Sequence, residues 1–295
     1  MESRRGFLKS AALLAAGSAQ TAPLLPTVRL GKHQITRLIV GANPFYGYSH
    51  FNALFSQHML EWFTAERVCQ TLRQCEAQGI NTWQFSQGGR GLEDLQRYRA
   101  EGGKLQAILV SGRPMEEDLT EIPKLAKLGP LGIAHHGGVT DRRWRGGEQH
   151  KIREFLKAVR DSGVRVGLST HNPEVVEATE EQNWDIDFYM TCVYYVTRPQ
   201  EELQKILGQR PPYGEAFLPD DPPRMYRTIR QSKKSCLAFK ILAAGRLTDS
   251  PRQLEEAFRT AYASIKPQDA VIVGMYPRYS DQVRDNVERV RRLLG

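Results

Sequence analysis

Four cysteines in 295 residues, none in a C-x-x-C pair, exclude a disulfide-stapled scaffold and a thiolate zinc site. Cys192 and Cys236 fall on segments expected to be neighbouring strands, so one bridge between them is compatible with the expected order. The simpler expectation is four small core residues, Cys69 and Cys75 included. No G-x-G-x-x-G turn follows a hydrophobic run, which removes the fingerprint of an open dinucleotide-binding sheet. Helix-turn-helix, zinc-finger and RNA-recognition patterns are absent too. The formal net charge of +8 is spread along the chain, and clusters such as "DRRWRGG" read as solvated surface, so no nucleic-acid partner is expected. Nothing after the N-terminal segment is long and apolar enough to cross a bilayer, which takes about 20 residues.

That N-terminal segment reads "SRRGFLKSAALLAAGSA". Arg4-Arg5 precede Phe7-Leu8-Lys9, a short apolar run follows, and small residues stand at Gly17 and Ala19. This is the layout of a twin-arginine export signal, with cleavage expected after Ala19. The expected address is periplasmic or otherwise extracytoplasmic, with no membrane association once the signal at 1–19 is removed. The alternative is an untranslocated amphipathic tail. Twin-arginine export carries folded proteins, so a cofactor bound before export stays compatible with this address.

Hydrophobic residues make up 40% and charged residues 25%, which allows a sizeable core. Eight short runs are apolar on both faces and bounded by Gly, Pro, Asn or Asp: "ITRLIVGAN", "INTWQFS", "LQAILVSG", "PLGIAHHGG", "VRVGLSTHN", "DIDFYMTCVYY", "CLAFKILAAG" and "DAVIVGMY". Buried parallel strands have this composition. Helical patterns fill the gaps. "TAERVCQTLRQCEAQG" puts Val68, Leu72 and Cys75 on one face and ends at Gly79; "HKIREFLKAVRDSG" ends likewise at Gly163. "SPRQLEEAFRTAYASI" opens with Ser250 as cap, Pro251 at the first helical position and Gln253 closing a capping box. Asn172-Pro173 starts another helix, and "SDQVRDNVERVRRLL" stripes Val283, Val287, Val290 and Leu294. Eight strand–helix units predict an α/β fold, a single-domain (β/α)8 TIM barrel over residues 20–295; an open doubly wound sheet is the competing arrangement. One insertion, 199–223, lies between the sixth strand and its helix and is expected to be decoration or a lid.

In such a barrel the chemistry sits at the C-terminal strand ends. Read in order, these ends offer Asn43, Tyr46 and His50; Gln84 and Gln87; Ser111 and Arg113; His135 and His136; Ser169, His171 and Asn172; Tyr194 and Tyr195; Lys240, Gly245 and Arg246; and Tyr276 and Arg278. The set is polar, aromatic and rich in histidine, suited to a small hydrogen-bonding ligand such as a sugar.

Five segments in order resemble the aldo-keto reductases. "GKHQITRLIVGANPFYG" is similar to their opening strand and "GINTWQFSQ" stands where they carry G-x-x-x-F-D-T-A. "GVRVGLSTHNPEVVEA" resembles their fifth-strand G-x-S-N-F pattern, "FKILAAGRLTDS" their seventh-strand turn, and "VIVGMYPRYSDQVRDNVERV" their last strand and helix. The resemblance implies NADP as cofactor, with Ser169 at the nicotinamide, Gly245 and Arg246 at the pyrophosphate, and Gln282 and Asn286 at the adenine end. Thr170 stands where the family has Asn, and Met190 near its Gln.

The family's proton relay, a Tyr supported by a Lys–Asp pair, is replaced. The Asp position holds Gln84, the Lys position Ser111, and the loop of the Tyr reads "SQGGRG". Only the fourth-strand His remains, as His135 or His136, and strand alternation favours His136 for the barrel mouth. The expected catalytic set is His136, assisted by Gln84, His171 and Lys240, with Asn43, Tyr46, His135, Tyr194 and Tyr276 around a small carbonyl or sugar-like substrate. Lys240 within an apolar strand also fits a Schiff-base nucleophile or a substrate-binding cation. His135 with Asp141 is a further acid–base pairing. One alternative function is a metal-assisted isomerase, lyase or hydrolase with a divalent ion on His50, His136 and His171. The other is a catalytically silent ligand-binding barrel.

Overall fold

The computed structural model describes residues 22–209 and 214–295, so the export segment expected at 1–19 lies outside the described residues. Eight parallel strands close into a ring in sequence order: β3 (Leu38–Gly41), β4 (Thr82–Ser86), β5 (Gln106–Val110), β6 (Gly132–His135), β7 (Arg165–Thr170), β8 (Phe188–Cys192), β9 (Ser235–Phe239) and β10 (Ala270–Gly274). The seam is the pairing of β10 with β3, from Val271 opposite Leu38 to Gly274 opposite Gly41. This is a single-domain (β/α)8 barrel.

Each strand is buried on both faces, and alternation sorts its side chains. Ile39, Ile108, Val110, Ala134, Phe188, Met190, Leu237 and Ile272 belong to the interior cluster, while Val40, Leu109, Ile133, Leu168, Tyr189 and Val273 pack under the helices. The Phe188 ring fills so much of the interior that a Cβ on Gly167 would come within 2.4 Å of it.

An antiparallel hairpin precedes the ring, β1 (Thr27–Leu30) with β2 (His33–Thr36). Val28, Leu30 and Ile35 join the interior cluster and plug the N-terminal end of the barrel. The single strand expected from "ITRLIVGAN" is therefore two: Ile35 and Thr36 belong to the hairpin, and Arg37 interrupts with its Nε donating to the Asp269 carbonyl at 3.1 Å.

The helices are α1 (Ala53–Trp62), α2 (Ala65–Ala77), α3 (Gly91–Ala100), α4 (Arg113–Glu117), α5 (Glu121–Ala126) and α6 (Gly137–Arg145), followed by α7 (Gln149–Asp161), α8 (Pro173–Glu181), α9 (Gln200–Leu207), α10 (Asp221–Gln231), α11 (Pro251–Ser264) and α12 (Gln282–Leu294). Their starts follow local chemistry. Thr64 accepts from Arg67 N, Asn172 from Glu174 N, and Ser250 from Gln253 N. The insertion at 199–223 is not all loop, because it contains α9 and the start of α10. The seventh strand is shorter than its apolar run implied. It stops at Phe239, and Lys240 begins a turn with φ +60°, so Lys240 is not an in-strand residue. Cys192 pairs with Phe239 and Cys236 with Tyr189, three positions apart, and both cysteines are free and buried.

Candidate active site

The C-terminal ends of β3, β9 and β10 surround a cavity of about 370 Å³, within the range of small-molecule sites, about 300–1,000 Å³. Asn43, His50, Gln84, Phe239, Lys240 and Tyr276 line its inner part. It extends outward past Gly245 and Gly274 to Gln282, Asp285 and Asn286 at the start of α12.

The inner part is built around His50. Asn43 Nδ2 donates to His50 Nε2 at 3.0 Å, which leaves Nδ1–H to donate to Glu215 Oε1 at 2.9 Å. Lys240 Nζ points at the same imidazole, 3.2 Å from Nε2 and 3.4 Å from Nδ1, and stands 4.0 Å from Glu215 Oε2. Burial pushes the His50 pKa down, the Glu215 hydrogen bond opposes this, and the Lys240 charge adds to it; the net direction is down, toward neutral imidazole. Burial raises the Glu215 carboxyl, but the His50 hydrogen bond and the Lys240 charge outweigh it and hold the group ionised. His50 (φ +55°) and Lys240 (φ +60°) are both in the left-handed region, which costs a non-glycine residue about 1–2 kcal/mol. Arg246 helps to hold this geometry, donating from both terminal nitrogens to the His50 carbonyl at 3.2 Å while lying over the Phe217 ring. Strain of this kind concentrates at binding and catalytic sites.

A second constellation stands at the ends of β6 and β7. Asp141, fully buried on α6, accepts from His171 Nδ1 at 2.8 Å, from Thr170 Oγ1 at 2.5 Å and from Thr197 Oγ1 at 2.7 Å. Desolvation alone would raise the Asp141 carboxyl, yet the His171 hydrogen bond and charge and the two hydroxyls bring it below its ordinary value. A carboxylate at Nδ1 fixes the His171 tautomer and leaves Nε2 without a hydrogen-bond partner among the described residues. His136 caps the start of α6, and its Nδ1 accepts from Gly138 N at 3.2 Å, so its Nε2 carries the proton. Desolvation first, then the charge of His171, push its pKa down, although the residue is exposed and solvent weakens both effects. His171 acts on His50 in the same way, so the two constellations lie within electrostatic reach of each other. Ser169 adjoins His171: a Cβ on Gly137 would meet Ser169 Oγ and His171 Cε1 at 3.0 Å.

Other expected residues are placed elsewhere. His135 is fully buried, edge-on to Phe155, with Nδ1 2.6 Å from Thr140 Oγ1 and Nε2 3.2 Å from Glu116. It belongs to a buried cluster with Glu116 and Arg143, and Asp141 pairs with His171 in its place. Tyr46 donates to buried Asp94 at 3.1 Å and does not line the cavity. Tyr194 packs on Phe217 and lines a different groove. The Tyr276 ring forms cavity wall, but its hydroxyl donates to the His58 carbonyl at 3.1 Å. Arg246 is committed to backbone carbonyls, Gln282 Oε1 accepts from Tyr276 N at 2.7 Å, and Asn286 Oδ1 from Arg289 at 3.1 Å. Among the described residues no three His, Cys, Asp or Glu side chains form a metal-binding group, so His50, His136 and His171 do not converge as ligands.

Two participants, Glu215 and Tyr48, went unnoticed in the sequence, and a third, Asp141, was paired with His135 where the structure pairs it with His171. Asp141 is only visible as a partner once α6 lies beside β7. Glu215 comes from the insertion whose length was its one signal. Tyr48, not Tyr46, lines the cavity, and its hydroxyl stands 3.2 Å from where a Cβ on Gly88 would be.

A closed ring, an outer layer of helices and a polar C-terminal mouth define the TIM-barrel class. Solved structures agree. A truncated 3-deoxy-D-arabino-heptulosonate 7-phosphate synthase from Thermotoga maritima matches with a TM-score of 0.53 at 15% identity, over 92% of this chain and 91% of that one. The glycerol dehydrogenase AKR11B4 from Gluconobacter oxydans, an aldo-keto reductase, matches with a TM-score of 0.52 at 12% identity, over 95% and 91%. No family model and no curated protein matches the sequence. At these identities the likeness establishes the barrel and nothing finer.

Proposed function

We propose that the protein is an enzyme that moves a proton at the carbon next to the carbonyl of a small, sugar-like compound, as an isomerase or lyase does. The observation that carries this reading is the Asp141–His171 pair. It lies outside the lining of the cavity, but the His171 ring stands edge-on to Phe239 at 5.7 Å, and Phe239 is the residue before Lys240 in the cavity wall. His171 Nε2 takes the proton from carbon, and ionised Asp141 stabilises the imidazolium that forms. The electron pair moves to the carbonyl oxygen, which the His136 Nε2–H polarises. A neutral imidazole donor and a carboxylate-backed imidazole base are two environments pushed apart, which is how one site separates its acid from its base. Return of the proton to the former carbonyl carbon gives the isomer, provided the hydroxyl on the deprotonated carbon passes its proton to the old carbonyl oxygen. The His136 imidazole relays this proton by giving its Nε2 proton to one oxygen and regaining it from the other. Expulsion of a group one carbon further, with its bonding electron pair, re-forms the carbonyl and gives the lyase product. Lys240, Asn43 and Gln84 bind the substrate's polar substituents.

NADP does not fit the side chains at the positions the resemblance assigns to it. Arg246 and the oxygens of Gln282 and Asn286 are engaged within the protein, and Asp285 adds a negative charge at the end assigned to the adenine. No step is routed through it. A fluorescence titration with NADPH checks this point, and stoichiometric quenching would restore the reductase reading.

The decisive test is exchange in D2O. A panel of aldoses, ketoses and sugar acids is followed by proton NMR for loss of the signal next to the carbonyl. At least one member should exchange, and Asp141→Asn should slow it by about 10²- to 10⁴-fold, the usual contribution of general acid–base catalysis. No exchange with any member, or unchanged exchange in Asp141→Asn, overturns the reading.

A further inference from the structure

Among the described residues Glu215 is the acidic side chain in contact with the Lys240–His50 cluster, and it comes neither from a barrel strand nor from the turn directly after one. It reaches the mouth from the insertion, and it is poorly held there. Its Oε1 accepts from His50, whereas Oε2 is buried with no hydrogen bond among the described residues. Lys240 is the matching half. Its side chain is only 7% exposed, its described hydrogen bonds go to His50 alone, and the nearest carboxylate oxygen is 4.0 Å away. A buried cation and a buried carboxylate oxygen thus face each other without closing into a direct bond. The site around them is rigid without Glu215, since Arg246 fixes the His50 backbone and Asn43 orients its ring.

We infer that Asn43, His50 and Lys240 form the binding site for a carboxylate carried by the substrate, and that the Glu215 side chain occupies this site until that carboxylate displaces it. The inference rests on the proposed function, because it places a charged group on the small carbonyl compound of the same mouth. Charge balance selects the class. Lys240 and Arg246 are the cations that act on Glu215, so a monoanionic carboxylate replaces Glu215 without changing the charge of the site, while a phosphate dianion changes it by one. A free carboxylate engages Lys240 Nζ and Asn43 Nδ2 together, which Glu215, tethered to its own backbone, does not. The substrate then resembles a sugar acid or an oxo acid more than a neutral sugar.

Chemical rescue tests this. Melting temperatures of wild type, Glu215→Ala and Glu215→Gln are measured in sodium acetate, sodium phosphate and sodium chloride at matched ionic strength. Glu215→Gln keeps the shape of the side chain and serves if the alanine variant folds poorly. Acetate should raise the melting temperature of both variants more than that of wild type and more than chloride does, and adding Lys240→Met should abolish the difference. An equal acetate response in wild type and variants overturns the site. A larger response to phosphate than to acetate overturns the carboxylate assignment. If rescue fails while deuterium exchange at the carbonyl position persists, only this inference falls and the proposed function stands.

Discussion

At the scale of single residues the histidines carry the argument, and their surroundings give each a different character. His136 accepts from Gly138 N, and desolvation, followed by the charge of His171, pushes its pKa down to about 4. It should remain neutral, with the proton on Nε2, through the interval near 6.5 where a free imidazole titrates. A pH titration of the protein followed by imidazole NMR checks this: the His136 signals should stay flat from pH 7.5 to 5.5. A midpoint near 6.5 would remove it as the neutral donor. Period-two alternation along "IAHHGG" was enough to separate the two histidines, because β6 sends Ile133 and His135 outward to the helices. The partners were out of reach of any local pattern. Asp141 lies 30 positions from His171, a contact that needs α6 laid beside β7, and Glu215 lies 165 from His50, a contact that needs the ring closed. Tyr46 and Tyr48 show the same limit. They are two positions apart in one loop, yet one hydroxyl is buried on Asp94 and the other side chain opens to the cavity.

At the scale of elements, starts and stops were readable wherever one side chain makes the signal. Ser250 caps α11 as expected; Gln253 reaches back as well, although its Oε1 takes Asp249 N in place of the cap's own N–H. Gly79 and Gly163 follow α2 and α7 with positive φ. The end of β9 was not readable, since "FKILAAG" is apolar throughout and nothing local announces the left-handed turn at Lys240. Helix α6 carries a prediction of its own. Gly137, its first residue, has no positive φ to protect, and alanine in its place should favour the helix by up to about 1 kcal/mol. The added Cβ, however, would stand 3.0 Å from His171 Cε1 and Ser169 Oγ, and His171 is held by Asp141. Gly137→Ala should therefore lose the gain in helix propensity to the crowding, leaving the melting temperature equal or lower, while slowing deuterium exchange by about tenfold or more, the effect expected of a misplaced catalytic group. Unchanged exchange would mean that His171 has room to move and is not held in a working position.

At the scale of the whole molecule, three histidines act together on stability, with fully buried His135 contributing most, half-buried His50 less and exposed His136 least. His50, His135 and His136 all have pKa values below the ordinary imidazole value, in each case with desolvation as the largest cause. Unfolding returns each to about 6.5, so below that pH the unfolded chain binds more protons than the folded one. Stability then rises with pH across this window and is fully present above about 6.5; it is lost as pH falls toward the folded values. Asp141, Glu116 and Glu215 are held below their ordinary carboxyl values and extend the loss, with the same sign, below about pH 4.5. Asp94 and Asp269 are raised by burial and act in the opposite sense, but they start from carboxyl values, so the interval from pH 7 to 5 belongs mainly to the histidines. Urea midpoints should fall steadily from pH 7 to 5 at constant slope, and unfolding at pH 5.5 should take up protons measurably. A midpoint that holds constant over that interval would show that these imidazoles are not kept neutral by the fold. The neutral His136 donor would then lose its basis.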